Sequence, residues 1–113
     1  VAITFNYYSE ENIFYCKSSG FDENLEEVIQ YELTLLEAFL KSGCKKALSD
    51  ERDLKYTLDI TDSFSLGQFL SEQVKFPAKL ALVTSVINKE YAEFWETVVT
   101  NRGLSVKVFY TMD

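Results

Sequence analysis

Two periods alternate along the chain, and their alternation predicts the fold. Val1, Ile3, Phe5 and Tyr7 interleave with Ala2, Thr4 and Asn6 over Val1–Tyr8, the period of two that marks a half-buried strand. Ser9-Glu10-Glu11-Asn12 is a polar turn, and Ile13–Lys17 returns as a second strand that should pair with the first as a hairpin. Gly20 and Asp22 then punctuate the chain. From Leu25 the period lengthens. Leu25, Val28, Ile29, Leu33, Leu36 and Leu40 recur at helical spacing, which predicts an amphipathic helix of about five turns. Asp22 or Asn24 suits its N-cap, the early glutamates suit the positive end of its dipole, and Gly43 suits its C-terminal stop.

Lys45–Asp50 reads as a short strand, followed by a charged loop, Asp50-Glu51-Arg52-Asp53. Thr61 and Asp62 offer a cap for a second helix with Phe64, Phe69, Leu70 and Val74 on its buried side and Pro77 closing it. Leu80–Val83 is a near-continuous apolar run, as expected of a strand covered on both faces. Asn88 caps a third helix that turns Tyr91, Phe94, Trp95, Val98 and Val99 inward and ends at Gly103; Leu104–Tyr110 is the last strand. The order β-β-α-β-α-β-α-β implies right-handed crossovers and an α/β fold. Its sheet is mixed but mostly parallel, of four or five strands, flanked by helices, with the hairpin as the antiparallel pair.

The 113 residues suit a single domain over 1–113, and nine Phe with seven Tyr supply a core that a disordered chain lacks. The net charge of −7 changes the list of partners. Phosphate backbones and anionic lipids are held by clustered Lys and Arg, and here the basic cluster is just Lys45 and Lys46. The expectation is therefore no nucleic acid and no membrane. No apolar run approaches the ~20 residues of a bilayer span, and no charged-then-apolar leader opens the chain, so a cytoplasmic location is expected. Cys16 and Cys44 read as free, buried thiols.

The chain has no histidine, which removes Ser-His-Asp and Cys-His nucleophiles and the usual nitrogen ligands of zinc. Its four glycines form neither a Gly-x-Gly-x-x-Gly nor a P-loop spacing. No catalytic residue, cofactor or metal is expected. Asp50, Glu51, Asp53, Asp59 and Asp62 offer oxygen ligands to a hard cation, but the EF-hand spacing is absent and a solvated loop with capping carboxylates is the better reading. Arg52 paired with one of them at the surface would contribute about 0–1 kcal/mol. Tyr91, Phe94 and Trp95 at helical spacing read as core. The adjacent pairs Tyr7-Tyr8 and Phe14-Tyr15 place one aromatic on each sheet face.

Asn101-Arg102-Gly103-Leu104-Ser105-Val106-Lys107-Val108-Phe109, preceded by Phe94-Trp95-Glu96-Thr97-Val98, resembles the ending of small bacterial proteins with a STAS-like fold. Ser49–Tyr56 is similar to a charged segment of the same proteins, and with Lys79–Val83 the resemblance covers nearly the whole chain. The fold is that of anti-sigma-factor antagonists and is also compared with CRAL-TRIO lipid carriers. The resemblance implies a non-catalytic regulatory module with a protein partner. It also implies an acidic C-terminal helix beyond Thr111-Met112-Asp113, which this sequence does not include. The antagonists carry a phosphorylated Asp-Ser pair at a strand-to-helix junction, and the similar junction here is Asp62-Ser63. Phe64 and Ser65 stand where that motif has Ser and Gly. Open α/β sheets place ligands at the carboxyl ends of their strands, and a helix N-terminus attracts a phosphate, so Asp62 and Ser63 are the candidate phosphorylation or partner site. The plainer reading makes Asp62 a cap alone. A sheet face left without its helix should be covered by a second copy, giving a homodimer. The alternative function is a carrier of a small apolar or lipid ligand. It would need an apolar cavity of about 300 Å³ or more, where an interaction module can have a filled core.

Overall fold

In the computed structural model, which describes residues 2–74 and 78–112, the strands and helices follow the expected order. They are β1 (Ile3–Glu10), β2 (Ile13–Phe21), α1 (Leu25–Ser42), β3 (Lys46–Lys55), α2 (Ile60–Gln73), β4 (Lys79–Thr84), α3 (Lys89–Asn101) and β5 (Ser105–Phe109), with a 3-10 turn at Val86–Asn88 before α3. The predicted strand start at Val1 and helix stop at Pro77 lie outside the described residues.

The hairpin closes more tightly than a four-residue turn. Glu10 pairs with Ile13, and Glu11 and Asn12 both take positive φ (53° and 67°), the primed two-residue turn whose twist matches that of paired strands. β2 runs on to Phe21, through Gly20. There φ is +106°, and a Cβ would fall 2.0 Å from the Ala2 carbonyl oxygen, so the approach of the two strand ends requires glycine.

The five strands lie in sequence order, β1 antiparallel to β2 and every other pair parallel. Each crossover steps the same way, and right-handed crossovers then put all three helices on one face. Residues in register on that face, Phe14, Ala47, Leu80 and Val106, line one cavity with side chains from α1, α2 and α3. β4 is thus covered by helices on one face, not on both. Val83 on the other face is still only 2% exposed, between Asp50 and Phe109 in register.

The caps expected at the ends of α1 hold, and around α2 the local expectations shift. Asn24 caps α1 by accepting from the Glu27 N–H at 2.8 Å, and Gly43 ends it in the left-handed conformation. Asp59 caps α2, which begins before the predicted Thr61-Asp62 cap because the Asp59 carboxylate accepts the Asp62 N–H at 2.8 Å. Asp50-Glu51-Arg52-Asp53 is strand rather than loop. Leu40 is exposed, and so is Phe64, whose ring lies 5.6 Å beneath the Arg102 guanidinium. α2 instead buries Leu66 and Gly67, where a Cβ would come 2.7 Å from Val98 Cγ1. This is how α2 packs closely on α3.

Asn88 heads α3 but makes no side-chain cap. At 2% exposure its amide donates to the Leu54 carbonyl (2.8 Å) and to Thr84 Oγ1 (3.0 Å), and its oxygen accepts the Tyr56 N–H (3.1 Å). One side chain therefore ties the end of β4 to the end of β3. Asn88→Ala leaves these partners unsatisfied in the interior and should cost about 2–4 kcal/mol, read as a lower urea midpoint at unchanged m-value.

Candidate ligand-binding cavity

The inner side of α1 is a stripe at intervals of three and four: Leu25, Val28, Glu32, Leu35 and Phe39. The spacing turns Glu32 toward the sheet although its chemistry favours water. β3 supplies a second carboxylate. Lys17 pairs with Asp50 and Ser19 with Asp53, so β3 carries one extra residue between these pairs. Ordinary alternation after Ser49 and Asp50 turns Glu51 inward, and the bulge then keeps Asp53 on the outer face and turns Leu54 inward. Asp22, at the junction of β2 and α1, is the third acid on this side and is 6% exposed.

Hydroxyl groups converge on Glu51. Tyr31 donates to Oε2 at 2.8 Å, Ser49 donates to the same oxygen at 3.5 Å, and Tyr56 donates to Oε1. Tyr31 also bonds Ser18, which in turn lies 3.6 Å from the Cys16 sulfur. Glu32 has no such support. The residue is half-buried, yet Oε2 is shielded from solvent and has no hydrogen-bond partner among the described residues.

These groups line one end of a cavity of about 210 Å³ between the sheet and the three helices. Most of the remaining wall is apolar, including Phe14, Leu35, Leu66, Leu82 and Trp95. Burial raises the acids, since a charged carboxylate loses its water there. Asp22 is pushed up to about 7 by burial, with repulsion from Glu51 and Glu27. Glu32 is pushed up to about 8 by burial, with repulsion from Glu51 and Asp22. Glu51 is raised by burial against the opposing pull of the Tyr56, Tyr31 and Ser49 hydroxyls. Burial likewise raises the Cys16 thiol, which makes it a poor nucleophile. Both cysteines are free.

The five acids of the 50–62 segment separate. Asp50 lies on the outer face, where Arg52 holds it through Nε (2.9 Å) and Nη2 (2.8 Å), with Lys17 at 3.3 Å. The Arg52 hydrogen bonds draw the Asp50 carboxyl down to about 2. With an Asp50 side chain only 11% exposed, this two-pronged pair is more enclosed than the surface pair expected. Among the described residues, no three such side chains gather to hold a metal ion, and no helix is long and apolar enough to cross a membrane. Asp62 sits in the first turn of α2. Ser63 beside it is 8% exposed, lines the cavity, and donates its N–H to the Asp59 carbonyl at 3.0 Å. A kinase would reach its hydroxyl only by opening that turn.

Glu32 and the two tyrosines escaped the sequence reading, and Glu51 entered it only as one acid of a charged loop. The available signal was the 25-28-32-35-39 spacing, an apolar stripe with one acid in its middle. No family model matches the chain, and no curated protein matches it significantly.

The raised acids fix the sign of the pH dependence. Between its ordinary value near 4 and its folded value, each binds more protons folded than unfolded, so stability falls as pH rises through that window. For Asp22 and Glu32 the window closes at about 7 and about 8. Urea unfolding between pH 4.5 and 8.5 should show stability declining by up to ~1.4 kcal/mol per pH unit for each group. Glu32→Gln should flatten the decline and be more stable than the parent at the alkaline end. A stability that climbs with pH throughout would contradict this assignment.

Proposed function

We propose that the chain is a non-catalytic binding module whose ligand is a small, largely apolar molecule held between the sheet and the helices. The observation that carries this reading is the 210 Å³ cavity itself, a largely apolar chamber with Asp22, Glu32, Glu51 and two tyrosines in its wall. That division is usual for small-molecule sites, where apolar walls supply affinity and a few polar atoms fix orientation. The volume is below the ~300 Å³ expected for a drug-sized or lipid ligand, but a cavity of ~150 Å³ already accepts a benzene ring. The proposed ligand is accordingly one ring with a short substituent. A catalytic role has little support, because the buried thiol is raised and no histidine is present.

A second observation favours a protein partner, the reading that goes with STAS-like kinship and a regulatory role in a bacterial cytoplasm. Phe21, Ile60, Val86 and Ile87 are exposed at the carboxyl ends of the parallel strands, Val86 by 66% and Ile87 by 75%. Exposed apolar side chains gathered at such a rim suit docking of another protein. The α2 turn bearing Asp62 and Ser63 belongs to the same end. A homodimer is the simplest form of this reading, supported also by the exposed Tyr8 and Phe109 on the helix-free face.

Toluene and benzyl alcohol, titrated while backbone amide shifts are followed, should give saturable changes at the cavity with Kd of roughly 10 μM to 1 mM. Ala47→Leu fills the chamber beside Phe14; it should weaken both compounds at least tenfold while raising the melting temperature. Absence of saturable shifts in the parent would sink the cavity reading. For the second reading, sedimentation should show concentration-dependent association that Val86→Asp with Ile87→Asp abolishes.

A further inference from the structure

Among the described residues, the cavity's polar end holds carboxylates with no cation to match them. Asp22, Glu32 and Glu51 repel one another there. The titratable groups that share the cavity wall with Glu32 come from several elements: Cys16 from β2, Asp22 from the β2–α1 junction, Tyr31 from α1, Glu51 from β3, Tyr56 from the segment after β3, and Tyr91 from α3. α2 adds the Ser63 hydroxyl. Each of these groups is an acid or a neutral hydroxyl or thiol. Lys79 touches the cavity margin, but its side chain is exposed and it starts β4, five positions before Thr84, which pairs with Glu51. That is a distance of ~16 Å along the strand. Arg52 and Lys17 are engaged with Asp50 on the other face.

Satisfaction of the three acids is unequal. Glu51 is served by three hydroxyls, whereas Glu32 Oε2 is shielded and bare among the described residues. Glu27 Oε1 is unpartnered too, but its other oxygen accepts the Ala2 N–H at 2.9 Å and Glu27 does not line the cavity. A buried acceptor left empty costs free energy that a donor brought by a ligand would recover. A positive donor would recover more, since it also offsets the repulsion among the three acids.

Resting on the cavity reading above, we infer that the ligand class is a small primary amine, its ring among the apolar side chains and its ammonium donating to the Glu32 carboxylate. The class is a monoamine with one ring, since the volume leaves little room beyond a ring and a short arm. Binding is coupled to protons. Empty, Glu32 holds its proton at neutral pH; with an ammonium bound, it releases that proton to solvent and remains as the carboxylate.

Benzylamine, benzyl alcohol and benzoate share a ring and differ in the charge of the head, and calorimetry on the full chain with each separates the contributions. Benzylamine should bind at least tenfold more tightly than benzyl alcohol near pH 8, and benzoate should not bind. Its affinity should rise by up to tenfold per pH unit from about pH 6 to the Glu32 value of about 8, with up to one proton released per ligand in buffers of different ionisation heat. Glu32→Gln should bring benzylamine down to the level of benzyl alcohol and leave benzyl alcohol within twofold. If benzyl alcohol binds as well as benzylamine in the parent, the cavity reading stands and the amine inference falls. If benzylamine binds more tightly but Glu32→Gln and pH leave it unchanged, the assignment to Glu32 falls. If none of the three binds, both readings fall together.

Discussion

One extra residue in β3 decides which side chains of this sheet meet the helices. Strand side chains alternate strictly, so without the bulge the positions after Asp50 would continue in a fixed phase, and Leu54 would point away from α1. The bulge resets the phase. Leu54 joins Ile3, Val28, Tyr31, Leu58 and Leu66 in the main core cluster, beyond Glu51, which ordinary alternation already places under the two tyrosines. The charged pair Asp50–Arg52 stays outside, with Lys17 beside it. Four consecutive charged residues can therefore belong to a central strand, because only one of them has to be solvated by protein hydroxyls.

That same bulge marks the limit of what could be read from the sequence. The order of elements was legible, since long runs of period two and period 3.6 alternate cleanly from Ile3 to Phe109. The Asp50–Asp53 stretch was not. A bulge breaks the alternation by which a strand is recognised, and four charges in a row imitate a loop. Helix phase was legible only in part. Leu33, Leu36 and Leu40 form an attractive row, but Leu40 lies in the open while Phe39 is buried, because the stripe that meets the sheet runs one residue earlier. Glu32 escaped for a related reason: hydropathy assigns an acid to the outer face, and only the three-four spacing places it inside. Asp59 rather than Asp62 caps α2, and a choice among nearby Asp residues depends on where the chain turns, which three-dimensional packing sets.

A sheet whose helices all lie on one side divides its chemistry by face. The covered face holds the core, the chamber and the acids whose hold on a proton burial strengthens. The other face holds the ion pairs of Lys17, Asp50, Arg52 and Asp53 and the stacked Tyr8 and Tyr15 rings, 5.0 Å apart. Protonation inside and salt bridging outside respond oppositely to acid. Lowering the pH relieves the buried carboxylates, while the Arg52 pair persists until Asp50 itself is protonated, near 2.

The two margins of the sheet are not equivalent. Beside β5, Glu96 reaches from α3 and accepts the Val108 N–H at 2.7 Å, so that backbone donor is already spoken for. β1 pairs on one side only, and the helix carboxylate nearest it, Glu27, accepts the Ala2 N–H just before the strand begins rather than a donor within Ile3–Glu10. An extended peptide seeking to lengthen the sheet would have to displace Glu96 at one margin but would meet an open ladder at the other. Edge-to-edge polymerisation, which needs two compatible margins per molecule, is thereby hindered at β5, and growth through β1 stops at a pair.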